Sequence, residues 1–312
     1  MENENQNLKT EEMEAGFYSK KFKRLALEQL NGRWTVPVLV SLIVFVFEIL
    51  LLGIMMPWST YATLLTNPDA LDTGLLNPAD VLGPGYFIGL IASCILTPVI
   101  VMAQLSIFAL LFKSKEQLKF SDFVSGFSYW TKALGNYFWK FLWLFLWGLA
   151  FGAIGAIVGL LVFFAIYSAA GADSVLAASM IPLFIYIFML PAMIVKTYQY
   201  SLSDYIIVDN DEIGVIQALN ISKKITSGYK WKLFCLDFSF IGWELLCCFF
   251  PIGALWLEPY SYAAKTNAFH YILDEFNKRA DVDKKALEAQ QPKAIEDEPV
   301  SAEADTTDSN EV

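Results

Sequence analysis

The sequence predicts an all-α polytopic membrane protein with six transmembrane helices, and three observations carry that reading. Of 312 residues, 56% are hydrophobic and 15% aromatic while only 17% are charged, which excludes a disordered chain and is unusual for a soluble domain. Several apolar runs exceed the ~18 residues that a helix needs to cross a bilayer. The lysines and arginines fall in blocks that alternate with those runs.

The two ends are polar. Residues 1–14 carry Glu2, Glu4, Glu11, Glu12 and Glu14 against Lys9, and residues 276–312 carry ten acids against five bases. Most of the formal charge of −10 therefore sits in two aromatic-poor stretches, read as disordered acidic tails. The membrane domain between them, 15–275, is close to neutral. The first 33 residues hold no apolar stretch followed by a small-residue cleavage site, so no signal peptide is expected.

The apolar runs place spans near 34–56, 86–112, 138–167 and 176–195. A last apolar region, 233–273, is too long for one span, and Pro251, Ile252 and Gly253 offer a break inside it. It is read as two spans, 233–250 and 253–273. The bases agree: six lie in residues 1–33, five in 113–140, five in 196–232 and five in 276–293, with Lys265 alone elsewhere. Six spans put all four blocks on one side, which the positive-inside rule makes cytoplasmic, and both termini with them. The connection 57–85, carrying Asp69, Asp72 and Asp80, is then a short external excursion.

Three stretches share a design of polar-apolar helical segment, glycine, tryptophan beside a base, then span. They are "FKRLALEQLNGRW", "FSDFVSGFSYWTKALGNYFWK" and "DEIGVIQALNISKKITSGYKWK". Gly32, Gly135 and Gly228 stand where a helix would end before turning into the membrane. Trp34, Trp139 and Trp231 are read as interface anchors. The pattern supports three repeats of an interfacial helix plus a transmembrane hairpin; alternatively, any helix entering a membrane acquires such flanks. In the third span Gly148, Gly152, Gly155 and Gly159 form one small-residue stripe, expected to let another helix of the same chain approach closely. Pro98, Pro182 and Pro191 are expected to kink spans two and four.

Ionisable groups inside a membrane are expensive and usually face the bundle interior. Here they are Glu48, Asp237, Glu244, Glu258 and Lys265. Asp237 and Glu244 stand two helical turns apart, about 10 Å on one face, and Glu258 and Lys265 repeat that spacing. Folding an antiparallel hairpin at Pro251 brings positions of equal summed number to equal depth. Asp237 then faces Lys265 as a structural ion pair, and Glu244 faces Glu258. Those two acids are either hydrated near the interface or handle a proton or cation.

The remaining chemistry is sparse. His270 is the only histidine, which excludes multi-histidine metal sites and suits an interfacial structural role. Phosphate-loop and HExxH motifs and activated-nucleophile signatures are missing. Cys94, Cys235, Cys247 and Cys248 read as small buried apolar side chains. Among Asp204, Asp209 and Asp211, the last two read as caps of the following helix rather than cation ligands. No catalytic residue, cofactor, metal or nucleic-acid partner is expected.

The segments "YSLSDYIIVDN" (200–210), "ALNISKKITSGYKWKLFCLDFSFIGWELL" (218–246) and "PIGALWLEPYSYAAKTNAFHYIL" (251–273) resemble the bacterial membrane family known as domain of unknown function 975. Asp204–Tyr205, Asp209–Asn210, Ser222, Gly228, Lys230, Phe234, "LDFSFIGW", Gly253 and Pro259–Tyr260 carry the likeness, and "ALEQLNGRW" fits its start. It is strongest over the C-terminal third, weaker over spans two to four, and missing from the tails. The helix–Gly–span–Pro–Tyr arrangement is also loosely similar to membrane regions attached to glycerophosphodiester phosphodiesterases, whose catalytic domain this chain lacks. The family implies a bacterial plasma-membrane protein and transfers no activity. The expected role is an accessory, organising or lipid- or partner-binding membrane component, its partners the bilayer and another membrane protein, with the oligomeric state left open. The alternative is a small transporter or channel with a polar path near Glu244, Glu258 and Glu48.

Overall fold

A computed structural model describes residues 18–56, 58–70, 73–75, 82–170 and 175–290. Among them every regular element is helical. The helices are α1 (Ser19–Leu30), α2 (Thr35–Met55), α3 (Trp58–Thr66), α4 (Pro84–Lys113), α5 (Phe120–Gly126), α6 (Trp130–Ala170), α7 (Val175–Tyr200), α8 (Ser203–Asp209), α9 (Val215–Ile225), α10 (Lys230–Phe249) and α11 (Ala254–Gln290). Single 3₁₀ turns at Phe127–Tyr129 and Pro251–Gly253 join α5 to α6 and α10 to α11. The acidic stretch 1–14 and residues 291–312 lie outside the described residues.

Four helical stretches are long and apolar enough to cross a membrane: Thr35–Met55, Pro84–Lys113, Phe120–Ser168 and Leu183–Asp209. The fifth and sixth expected spans form as α10 and α11 but fall short of that apolarity. Lys232, Asp237 and Glu244 fall within every span-length stretch of α10, and Glu258, Lys265, Thr266, Asn267 and His270 lower the hydropathy of α11. Two boundaries also differ from expectation. The loop 57–85 contains α3, whose Thr63 and Thr66 hydroxyls bond back to the carbonyls of Ser59 and Ala62 at 2.9 Å each. Past Leu273 the chain belongs to a second compact unit, and helix continues to Gln290 where a disordered tail is expected from 276. Local chemistry accounts for this, since the segment is rich in lysine, alanine and glutamate and Lys278 pairs with Asp274 at 2.7 Å one turn away.

The core of the first unit centres on the second half of α4, where Met102 to Phe108 and Leu111 are buried. Around it pack Val40 and Val44 of α2, Phe123 of α5, Ile206 and Ile207 of α8, Leu233, Leu236 and Phe240 of α10, and Ala264, Ala268, Phe269 and Ile272 of α11. The amphipathic α1 joins them through Phe22, Ala26 and Leu30, four residues apart on one stripe. Burying each of its large side chains contributes about 1.5–3 kcal/mol. Gln29 of α1 and Asn267 of α11 exchange two amide hydrogen bonds, of 3.0 and 2.8 Å.

The glycine stripe of α6 faces α7. A Cβ on Gly155 would meet Ile185 Cα at 2.6 Å, whereas one on Gly152 would lie 4.0 Å from Met189 Sδ and one on Gly148 3.8 Å from Met193 Sδ. Gly159 is buried on the same face. α4 runs unbroken through Pro98, and α7 through Pro182 and Pro191.

Among the described helices a short one directly precedes a long one four times, as α1–α2, α3–α4, α5–α6 and α9–α10, and all but α3–α4 are the segments expected as repeats. Gly32 (φ +74°) and Gly228 (φ +85°) take the left-handed conformation that favours glycine at these turns. Gly135 does not terminate a helix; it lies inside α6, because α6 already starts at Trp130. The glycine that matters there is Gly126, where a Cβ would sit 2.7 Å from Ala103 Cα. Gly126→Ala is expected to push α5 off α4 and lower stability in detergent by about 2 kcal/mol, readable as a drop in thermal midpoint.

Candidate functional site

α10 and α11 are joined by the tight turn at Pro251–Gly253, and their polar groups meet across the hairpin. Lys265 Nζ lies 3.1 Å from Asp237 Oδ1. The other oxygen, Oδ2, accepts a 2.7 Å hydrogen bond from Tyr198 Oη at the end of α7. Asp237 is thus held by a cation on one side and a phenol on the other.

Glu48, Glu244 and Glu258 share one open cleft of about 430 Å³ between α2, α10 and α11, with Lys265 and Tyr262 in its wall. Their situations differ. Glu258 accepts from the buried Gln104 Nε2 of α4 at 3.1 Å, and the buried Ser41 of α2 lies nearby. Glu48 and Glu244 are exposed, and among the described residues neither carboxylate has a partner.

Lys265 and Tyr262 also line a second cavity of about 210 Å³, with Tyr198, Asp204, Tyr205 and Asp237. Beyond it Asp204 pairs with Lys140 of α6 and accepts from Asn136 Nδ2 at 2.6 Å. Asp209 and Asp211 do not cap a helix, because α9 starts only at Val215 behind Gly214, too far along for their side chains to reach its first turn. They pair instead with Lys113 at 2.8 Å and Lys132 at 2.7 Å. These three aspartates hold the layer of short helices against the ends of α4 and α6.

The other candidates are scattered. Trp34 directly precedes α2 and lines an apolar groove of about 340 Å³ with Trp243, Phe250, Trp256 and Tyr260; Cys247 and Leu257 are common to this groove and the acidic cleft. Trp139 is half-buried inside α6, and Trp231 is 72% exposed at the start of α10. His270 stacks on Phe112 with ring centroids 3.7 Å apart. The expectation of buried cysteines is corrected: Cys94, Cys235 and Cys248 are exposed, because they occupy outward faces of apolar helices, and Cys247 is half-buried. Among the described residues no group of three or more His, Cys, Asp or Glu could hold a metal.

Sequence reasoning passed over Gln104, Ser41 and Tyr198. A lone amide in the apolar run of α4 was the available signal, since such a group needs a partner when buried. Residues 14–275 match the model of a family described as protein of unknown function, DUF975. The chain belongs to that family. No curated protein and no solved structure matches it. The match takes in both polar spaces of this DUF975 protein, from Glu48 to Lys265, and leaves out residues 276–312.

Proposed function

We propose that this DUF975 protein is a non-enzymatic, six-span component of the bacterial plasma membrane that binds a lipid or partner protein through the cleft between α2, α10 and α11. Three repeats of interfacial helix plus hairpin would build it, with both termini cytoplasmic. The four blocks of basic residues support that topology, and an external signal from a reporter joined after Val312 would refute it.

One observation carries the binding reading. Glu48 and Glu244 open onto the cleft without a cation among the described residues, while Lys265, the base nearest to hand, is engaged by Asp237. Carboxylates on apolar helices are costly unless paired. A cationic group offered from within the bilayer, a lipid amine or a basic side chain of a partner helix, would neutralise them. The apolar groove beside the cleft suits the hydrocarbon that accompanies such a group. Mass spectrometry of what co-purifies in native lipid discs is expected to find a cationic lipid or one partner protein, lost in Glu48→Gln/Glu244→Gln. Unchanged retention in that variant refutes the reading.

A second reading, a small transporter, is favoured by Lys265 and Tyr262 standing between two polar spaces. Flux in proteoliposomes that Glu244→Gln and Glu258→Gln together abolish would replace the first reading with this one.

A further inference from the structure

Away from the cleft, three lysines converge without acids. Lys196 lies near the end of α7 with Nζ 3.4 Å from the centre of the Trp147 ring. Lys230 opens α10 and donates to Gln199 Oε1 at 3.5 Å. Lys223 lies in the last turn of α9, which Ser222 ties to the carbonyl of Gln199 at 3.0 Å. Lys223 and Lys230 both stand close enough to Lys196 for their charges to repel it.

Three other bases of the same layer are neutralised one by one. Lys113, Lys132 and Lys140 each take an aspartate, which uses up Asp209, Asp211 and Asp204. Among the described residues no carboxylate pairs with Lys196, Lys223 or Lys230, and the first turn of α10 contains no acid. The dipole of α9 favours Lys223 at its C-terminal turn, yet it does not account for two further cations brought to the same place from other helices. Such a cluster is stable beside an anion and strained without one. Its depth is marked by Trp231, exposed in the first turn of α10, since tryptophan favours the headgroup level. Basic pockets between helices at that level hold anionic headgroups.

We propose that Lys196, Lys223 and Lys230 form a binding site for a phosphate group, as carried by the headgroup of an anionic phospholipid. The three ammonium groups share the phosphate oxygens, and Trp231 lies alongside the glycerol region. The site tethers the ends of α7, α9 and α10 to one lipid.

The test uses the full chain in discs of mixed phosphatidylcholine and phosphatidylglycerol, counting lipids retained after release by native mass spectrometry. Phosphatidylglycerol is expected to be kept in preference. Lys196→Gln/Lys223→Gln/Lys230→Gln loses it by about fivefold per lysine, and the charge-matched Lys20→Gln/Lys115→Gln/Lys119→Gln keeps it. Equal loss in both triple variants, or no preference in the parent, overturns the site. Added inorganic phosphate separates the sources: displacement of the lipid assigns the site to soluble phosphate compounds, and persistence assigns it to the headgroup. Should the triple variant fail to fold, Lys223→Gln on the exposed turn of α9 reads the same loss of about fivefold, and an unchanged count there also overturns the proposal.

Discussion

Asp237→Asn and Lys265→Met are each expected to lower the stability of the detergent-purified protein by about 2 kcal/mol, and the double variant to lose no more than the worse single one. Breaking one side of a buried ion pair costs about 3–5 kcal/mol because the remaining charge is left without a partner. Here the side chains keep 36% and 35% of their surface accessible, which reduces that figure through screening. Asparagine retains an oxygen for the Tyr198 hydroxyl, so Asp237→Asn removes the charge and little else. Lys265→Met retains the stem and removes the ammonium. Once the acid is gone the ammonium stabilises nothing, so its removal adds no further cost. Tyr198→Phe is a separate probe, expected to cost about 1 kcal/mol for one hydrogen bond. The cycle is read from unfolding midpoints, and additive losses would show that the 3.1 Å contact carries no energy.

That pair is legible in the sequence because a hairpin has simple arithmetic. Once Pro251 is the turn, residue numbers fix depth, and seven-residue spacing puts Asp237 with Glu244, and Glu258 with Lys265, on single faces. The long apolar helices were legible for a similar reason, since continuous hydrophobicity over a span needs no knowledge of neighbours. Placing α10 and α11 across the membrane is another matter: apolarity decides for α2 and α4, whereas α10 carries charges whose cost depends on what surrounds them.

What the sequence did not disclose is mostly pairing between distant segments. Asp209 and Asp211 stand near the start of a helix, and local reasoning offers capping as their use. Their partners are Lys113 and Lys132, about 80–95 residues away, and no local periodicity encodes that contact. Gln104 escaped notice for the same reason, its partner Glu258 lying on α11. Gly135 misled because glycine has two uses, turning a chain and admitting a neighbour. In α6 the second applies, with Val215 Cγ2 3.3 Å from where its Cβ would be.

The α6 stripe separates those uses within one helix and yields the second large effect. Gly155→Val is expected to destabilise the protein by about 3 kcal/mol, while Gly152→Ala is expected to be neutral or stabilising by up to about 1 kcal/mol. At Gly155 the obstacle is the α7 backbone itself, Ile185 Cα at 2.6 Å and Phe184 O at 3.0 Å. A backbone cannot move aside as a side-chain tip can, so the helices must separate and the contacts at Gly148 and Gly152 loosen with them. At Gly152 the nearest atom is the flexible Met189 Sδ at 4.0 Å, an ordinary van der Waals distance, and alanine gains helix propensity there. Both positions lie on the same face of α6, three residues apart, and Gly155→Ala, which adds the same methyl group as Gly152→Ala, cancels differences in side-chain size and propensity. Thermal unfolding in one detergent therefore isolates the approach of α6 to α7. Equal effects at the two positions would mean that the stripe faces lipid or another molecule rather than α7.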